Sequence, residues 1–212
     1  MWLQSLGKQM LMAEKGSGSK IKLKEKMRNK LSKLNNLEQL MLDGSSIDRS
    51  LLHKIGVMTS LNVLAVSNCG LNGTLPSRGW CELKKLQEID LSNNNFEGRL
   101  PSCMANLTSL RVLDLCNNHF NGNIVQSPLS SLTSLEYLSF SDNNFSIPST
   151  FSFLFNLSNL KILLSDNNIL ALEPDSLTLI PTFQLKVLSL STCSFNIHNS
   201  TPPRFLHYQY DL

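Results

Sequence analysis

Leucines recur along this chain at a near-constant interval: Leu37, Leu61, Leu86, Leu110, Leu135, Leu160 and Leu185, with gaps of 24 or 25 residues. A fixed period of this length belongs to a solenoid. Each unit is too small to bury its apolar face alone, so neighbouring units stack into one continuous core. At 212 residues and 42% hydrophobic, the chain is long enough to build such a core.

Counting from each marker leucine, apolar residues return three, five and ten places later. Examples are Ile89, Leu91 and Phe96 after Leu86, and Leu113, Leu115 and Phe120 after Leu110. The step of two between the first pair is strand alternation, with both side chains facing inward. Asn94, Asn118, Asn143 and Asn168 stand eight places after their markers. A turning backbone leaves N–H and C=O groups unpaired, and a buried Asn amide can satisfy both kinds, so stacking predicts an Asn ladder. Cys69 and Cys193 hold the same slot in two repeats, where a thiol replaces the amide.

This spacing resembles the leucine-rich repeat pattern LxxLxLxxNxL. More narrowly it resembles the plant extracellular subtype, which continues LxGxIP. Gly73, Leu75 and Pro76 match that extension, as do Gly98, Leu100 and Pro101. Gly122 and Ile124 match without the proline, and Ile147 and Pro148 without the glycine. Gly permits the bend and Pro favours an extended segment beside the strand. Pairs such as Leu107 and Leu110, or Leu132 and Leu135, close each turn. The resemblance implies an α/β-type leucine-rich repeat solenoid of about seven repeats. It would be a curved right-handed superhelix with a parallel concave β-sheet and an irregular or helical convex side.

The repeat array is expected over residues 31–212, preceded by a basic leader at 1–30. Leu212 lies 27 residues after Leu185, so the array is read as cut off at the start of an eighth repeat. Residues 1–15 hold Lys8, Glu14 and Lys15 and no sustained apolar run, so they do not read as a secretory signal. No stretch approaches the ~20 apolar residues of a membrane span. The expectation is an internal piece of a longer receptor-like protein, cytosolic as written although the family sits at the plasma membrane.

Charge is uneven. Residues 1–33 carry nine Lys or Arg against Glu14 and Glu25, giving +7, and the remainder gives −4. Leu23, Met27, Leu31 and Leu34 follow helical spacing among the lysines, which predicts a solvated helix packed on the first repeat. No aromatic residue interleaves with those lysines, so a nucleic-acid partner is not expected. The five cysteines are odd in number and form no CxxC, and no His stands at ligand spacing from them. Neither a metal nor another cofactor is expected.

Strand alternation turns the positions two, four, six and seven places after each marker toward the concave face. They include Asp43, Glu88, Asp90, Asp114, Asp142 and Asp166, and no Lys or Arg. These six read as one negative stripe that would steer a basic or polar partner. Tyr137 joins them, because exposed aromatics anchor interfaces. The candidate ligand-binding set is therefore Glu88, Asp90, Asp114, Tyr137, Asp142 and Asp166. A second reading of Asp90 and Asp114 stands beside it: Leu-Asp-Leu-Ser is common in the family at this strand, where the Asp serves the fold. Sequons at Asn72, Asn106, Asn144, Asn156 and Asn199 are candidate glycosylation sites.

His53, His119, His198 and His207 are isolated, and no nucleophile elbow, phosphate loop or zinc motif occurs, so catalysis is not expected. The resemblance implies a ligand-binding ectodomain fragment that perceives a peptide or protein signal in defence or development, with a co-receptor kinase as a further partner. The alternatives are a secreted leucine-rich repeat inhibitor of a wall-degrading enzyme and a non-functional truncated product.

Overall fold

The computed structural model describes residues 10–12, 35–171, 180–191 and 203–212. Its main element is an eight-stranded parallel sheet. In spatial order the strands are β1 (Met10–Met12), β2 (Gln39–Met41), β3 (Val63–Ala65), β5 (Glu88–Asp90), β7 (Val112–Asp114), β9 (Tyr137–Ser139), β11 (Ile162–Leu164) and β13 (Val187–Ser189). A second parallel sheet runs beside it through β12 (Ile169–Ala171), β10 (Asn144–Pro148), β8 (His119–Asn123), β6 (Asn95–Gly98) and β4 (Asn72–Thr74). The repeat therefore makes two strands per turn, a short one from the leucine motif and another from the glycine-proline extension. Strand β1 comes from the segment read as leader and pairs in parallel with β2, Leu11 opposite Leu40. The expected helix of Leu23, Met27, Leu31 and Leu34, together with Cys193 and Asn199, lies outside the described residues.

The core is a set of ladders. Leu64, Ile89, Leu113, Leu138 and Leu163 lie in register on adjacent strands and are fully buried. Phe96, Phe120 and Phe145 stack with centroids 5.9 and 6.1 Å apart and near-parallel rings. Such offset stacking adds to the area term of burying a large ring. On the convex side the connections are mostly 3₁₀ turns, among them Ile55–Val57, Trp80–Glu82, Ser102–Asn106, Pro128–Ser131 and Ser152–Leu154, with one α turn at Leu51–Lys54. Each closes in the same way. The Leu107 N–H donates to the Met104 carbonyl, and the marker Leu110 N–H then donates to Leu107.

Why the strands stop after three residues is visible in the backbone. The position seven places after the marker has φ between 51° and 56° at Asn68, Asn93, Asn117, Asp142 and Asn167, and Gly44 takes 69°. Left-handed backbone favours Gly, Asn and Asp, which accounts for their run at this slot. Asp142, read from sequence as a concave-face ligand residue, thus sits in the turn, where its Oδ1 accepts from Asn167 Nδ2 at 2.6 Å.

The Asn ladder forms as expected. Asn118 Nδ2 donates to the carbonyls of Leu91, Leu115 and Cys116 at 3.0–3.1 Å, and its Oδ1 accepts from the Phe96 N–H at 3.0 Å. Asn94, Asn143 and Asn168 repeat the pattern. The Cys69 thiol donates to the Leu42 carbonyl at 3.1 Å, doing in one repeat what the amide does in the others. At the other end of the described chain, Phe205 packs between Phe151 and Phe183. Gln209 Oε1 accepts from the Leu185 N–H at 2.7 Å, and Gln184 Nε2 donates to the Tyr208 carbonyl. This register places Gln209, 24 residues on, opposite Leu185, and not Leu212, which is more than half exposed.

Candidate functional site

The outward side chains of the main sheet form a groove of about 550 Å³ across strands β2 to β11. In-register pairing arranges it in columns. Two places after the marker run Val63, Glu88, Val112, Tyr137 and Ile162; four places after run Ala65, Asp90, Asp114, Ser139 and Leu164. The first column is mostly apolar and half-buried, which is unusual for side chains that no other described part of the chain covers.

The six acidic residues do not make one stripe. They occupy four columns, and half of them are absorbed by the fold. Asp43 Oδ1 accepts from the N–H and hydroxyl of Ser67 at 2.8 and 3.0 Å. Asp166 accepts from the Ser189 hydroxyl at 2.7 and 2.8 Å and from the Ser191 N–H. With Asp142, these tie one repeat to the next. Asp90 and Asp114 each accept within their own repeat, from the Ser92 and Cys116 N–H at 2.9 Å. One oxygen of each caps the turn, as the fold reading expects, and both carboxylates line the groove. Glu88 is exposed on the groove surface.

Electrostatics follow from this crowding. Burial raises Asp90 above the usual carboxylate range, and the neighbouring charges of Asp114 and Asp43 add to it. Burial, then Asp114, pushes the Tyr137 phenol up to about 12, so it stays protonated, 3.5 Å from Asp114 Oδ2. The same two causes push the Cys116 thiol up to about 12.

Sequence reasoning missed the cations. Glu136 accepts from Lys161 at 2.7 Å and from Arg111 Nε at 2.6 Å, and both Glu136 and Lys161 line the groove. These residues stand one place after their markers, just before the strand, where alternation assigns no face. The hydrogen bonds from Lys161 and Arg111 hold Glu136 below the usual carboxylate range. A disulfide was missed as well: Cys81 and Cys103 join two successive convex turns. Their separation of 22 residues, close to one period, was the available signal.

Of the sequons, Asn72, Asn106, Asn144 and Asn156 are exposed. None faces the groove: Asn72 and Asn144 open strands of the second sheet, and Asn106 and Asn156 lie on the convex connections. Among the described residues no cluster of His, Cys, Asp and Glu could hold a metal, and no helix is long and apolar enough to cross a membrane.

The family described as Leucine-rich repeat region matches residues 17–208. Cuscuta receptor 1 of Solanum lycopersicum is 45% identical over 167 residues, 78% of this chain and 15% of that protein. Receptor-like protein 15 of Arabidopsis thaliana is 52% identical over 138 residues, 63% of this chain and 14% of that protein. The chain thus spans about a seventh of the length of these relatives. Among solved structures, the ectodomain of the Arabidopsis receptor kinase GASSHO1/SCHENGEN3, in complex with Casparian Strip Integrity Factor 2, superposes with a TM-score of 0.57 at 25% identity. The match covers 77% of this chain and 23% of that one. Ladders, sequence relatives and superposition agree: the chain belongs to the leucine-rich repeat family, among the plant receptor-like proteins.

Proposed function

We propose that this chain is part of a receptor ectodomain that binds a peptide or protein ligand in the groove of its main sheet. The observation that carries this reading is the half-buried column of Val63, Val112, Tyr137 and Ile162, which lines the groove. Side chains that only had to keep a sheet soluble would be polar at these positions. The ectodomain bound to Casparian Strip Integrity Factor 2 gives a precedent on the same fold. The role is recognition without catalysis, with signalling passed to a co-receptor kinase.

An extracellular site of action is part of the reading. The Cys81–Cys103 disulfide suits an oxidising compartment, and the exposed sequons suit passage through the glycosylation machinery. Expressed in plant cells behind a secretory signal, the chain should shift in mass on endoglycosidase treatment; no shift would remove that support.

The ligand-binding reading is tested by panning a random peptide display library against the full chain. Recovered peptides should lose about tenfold or more in affinity for a Val112→Arg, Ile162→Arg variant, since tenfold corresponds to about 1.4 kcal/mol. Recovery of no binders, or of binders indifferent to those two changes, would overturn it.

A further inference from the structure

On the second sheet, side chains alternate between the core and the outside. Phe96, Phe120 and Phe145 are buried, whereas Asn95, Asn121 and Asn144, one residue away, are exposed. Register brings three exposed polar residues into one row across successive repeats. Gly98 stands opposite Phe120, so Arg99, the next residue, falls beside Asn121, and Asn121 stands opposite Asn144. Neighbouring strands are ~4.8 Å apart, so the row spans about 10 Å. Asn144 opens the sequon Asn144-Phe145-Ser146. The other described sequons lie elsewhere. Asn72 is on β4, the end strand of the sheet, with Asn95 as its strand neighbour. Asn106 and Asn156 are on the convex connections, outside either sheet.

The Arg99 side chain is held in place along this row. Gly122 has φ 100°, and a Cβ there would come within 3.0 Å of the Arg99 Cγ, 3.3 Å of its Nε and 3.4 Å of its Cδ. The arginine stem therefore lies across Gly122 on β8, and Gly122 is the strand partner of Phe145, the residue after Asn144. Only a residue without a side chain leaves room for this. A stem already packed has little entropy left to lose when its head binds something. The guanidinium is a planar fork of N–H donors, and among the described residues it has no hydrogen-bond or ion-pair partner. Arg49, which approaches Gly73 in a similar way, donates from Nη2 to the Thr74 carbonyl at 2.9 Å.

We propose that Asn144 carries an N-linked glycan whose first sugars lie across Asn121 and Arg99 and brace three repeats from outside. This rests on the extracellular reading above and adds the site and the seat of the glycan. The donor is a lipid-linked oligosaccharide of the secretory pathway. The Asn144 Nδ2 bonds to the anomeric carbon of the first N-acetylglucosamine, the bond from that carbon to the lipid pyrophosphate breaks, and the pyrophosphate and one amide proton leave. The transfer precedes folding, so the burial of Phe145 is no obstacle. In the folded chain the sugar hydroxyls and acetamide carbonyl accept from the Arg99 fork and the Asn121 amide. Both donors sit one or two strands from the attachment point, within reach of the first sugars.

The full chain, expressed in plant cells behind a secretory signal, tests this, with peptide mass mapping to read each sequon. Asn144 should be occupied. Asn144→Gln should then lower the thermal unfolding midpoint by about 2–4 °C. In an Arg99→Ala, Asn121→Ala background the same replacement should shift it by less than about 1 °C, because the glycan has already lost its seat. The same four chains exported to the bacterial periplasm, where disulfides form and no such glycan is attached, should show no coupling between the sites. Coupling of equal size there would assign it to the Asn144 amide itself and overturn the proposal. So would additive shifts in the secreted chains. A bare Asn144 beside any other occupied sequon also overturns it but leaves the extracellular reading standing. Occupancy at no sequon sinks both.

Discussion

Asn118 serves four backbone groups across two repeats, three of them in buried bonds. An unsatisfied buried polar group costs about 1–3 kcal/mol, so Asn118→Ala should lower the unfolding free energy by about 2–4 kcal/mol in a denaturant titration. Cys69 makes two such bonds with a thiol in the equivalent slot, so Asn118→Cys should fall between alanine and the parent residue. Cys116 is half-buried and held neutral, its thiol pushed up to about 12 by burial and by Asp114. Alkylation by iodoacetamide at about pH 8 should therefore run at least tenfold slower than for an ordinary exposed cysteine. Fast labelling would mean that the surroundings of Cys116 are more open than its burial indicates.

At the scale of elements, the convex turns are tied together covalently and sterically. The Cys81–Cys103 bridge closes a loop of 22 residues, slightly under one period. Replacing both cysteines by serine should cost about 3 kcal/mol on loop entropy, seen as a lower unfolding midpoint; adding reductant to the parent chain should reproduce that shift. The neighbouring turn has no room to adjust. Gly79 has φ 87°, and a Cβ there would come within 2.5 Å of the His53 carbonyl oxygen. The repeats are thus tightened on the convex side by backbone contact. On the sheet side they are held by Asn, Asp and Ser bonds from one turn to the next.

For the whole molecule, the crowding of Asp90 with Asp114 and Asp43 makes stability depend on pH. The Asp90 carboxyl is raised in the folded state, so the folded chain holds that proton at pH values where the unfolded chain has released it. Its contribution to stability is therefore greatest at low pH and declines as pH rises through the shifted range. In denaturant titrations between about pH 4 and about pH 7, the Asp90→Asn variant should gain stability relative to the parent chain as pH rises, because it carries no charge to desolvate. Glu136 is lowered by Lys161 and Arg111, so the basic rim keeps its pairing into more acid conditions than an ordinary carboxylate would allow.

The sequence by itself determined the periodic part of this protein. Leu, Ile, Phe and Asn recur because each fills one slot whose environment is the same in every repeat, so the stack, the parallel sheet and the Asn ladder were readable without coordinates. Tertiary structure decided what depends on the neighbouring repeat. The acids Asp43, Asp142 and Asp166 look the same as Asp90 and Asp114 in a column of letters. Only the tertiary structure reveals that the first three accept from backbone or side-chain groups one period away, whereas Asp90 and Asp114 accept from the N–H two residues on, Asp114 meeting only the Tyr137 hydroxyl across repeats. The same holds for Lys161 and Arg111 converging on Glu136, for Cys81 meeting Cys103, and for Gln209 rather than Leu212 aligning with Leu185. A local pattern fixes which way a side chain points along its own strand. Hydrogen-bond partners, charge balance and covalent links across a solenoid are set by residues about 24 positions distant, and no local pattern contains them.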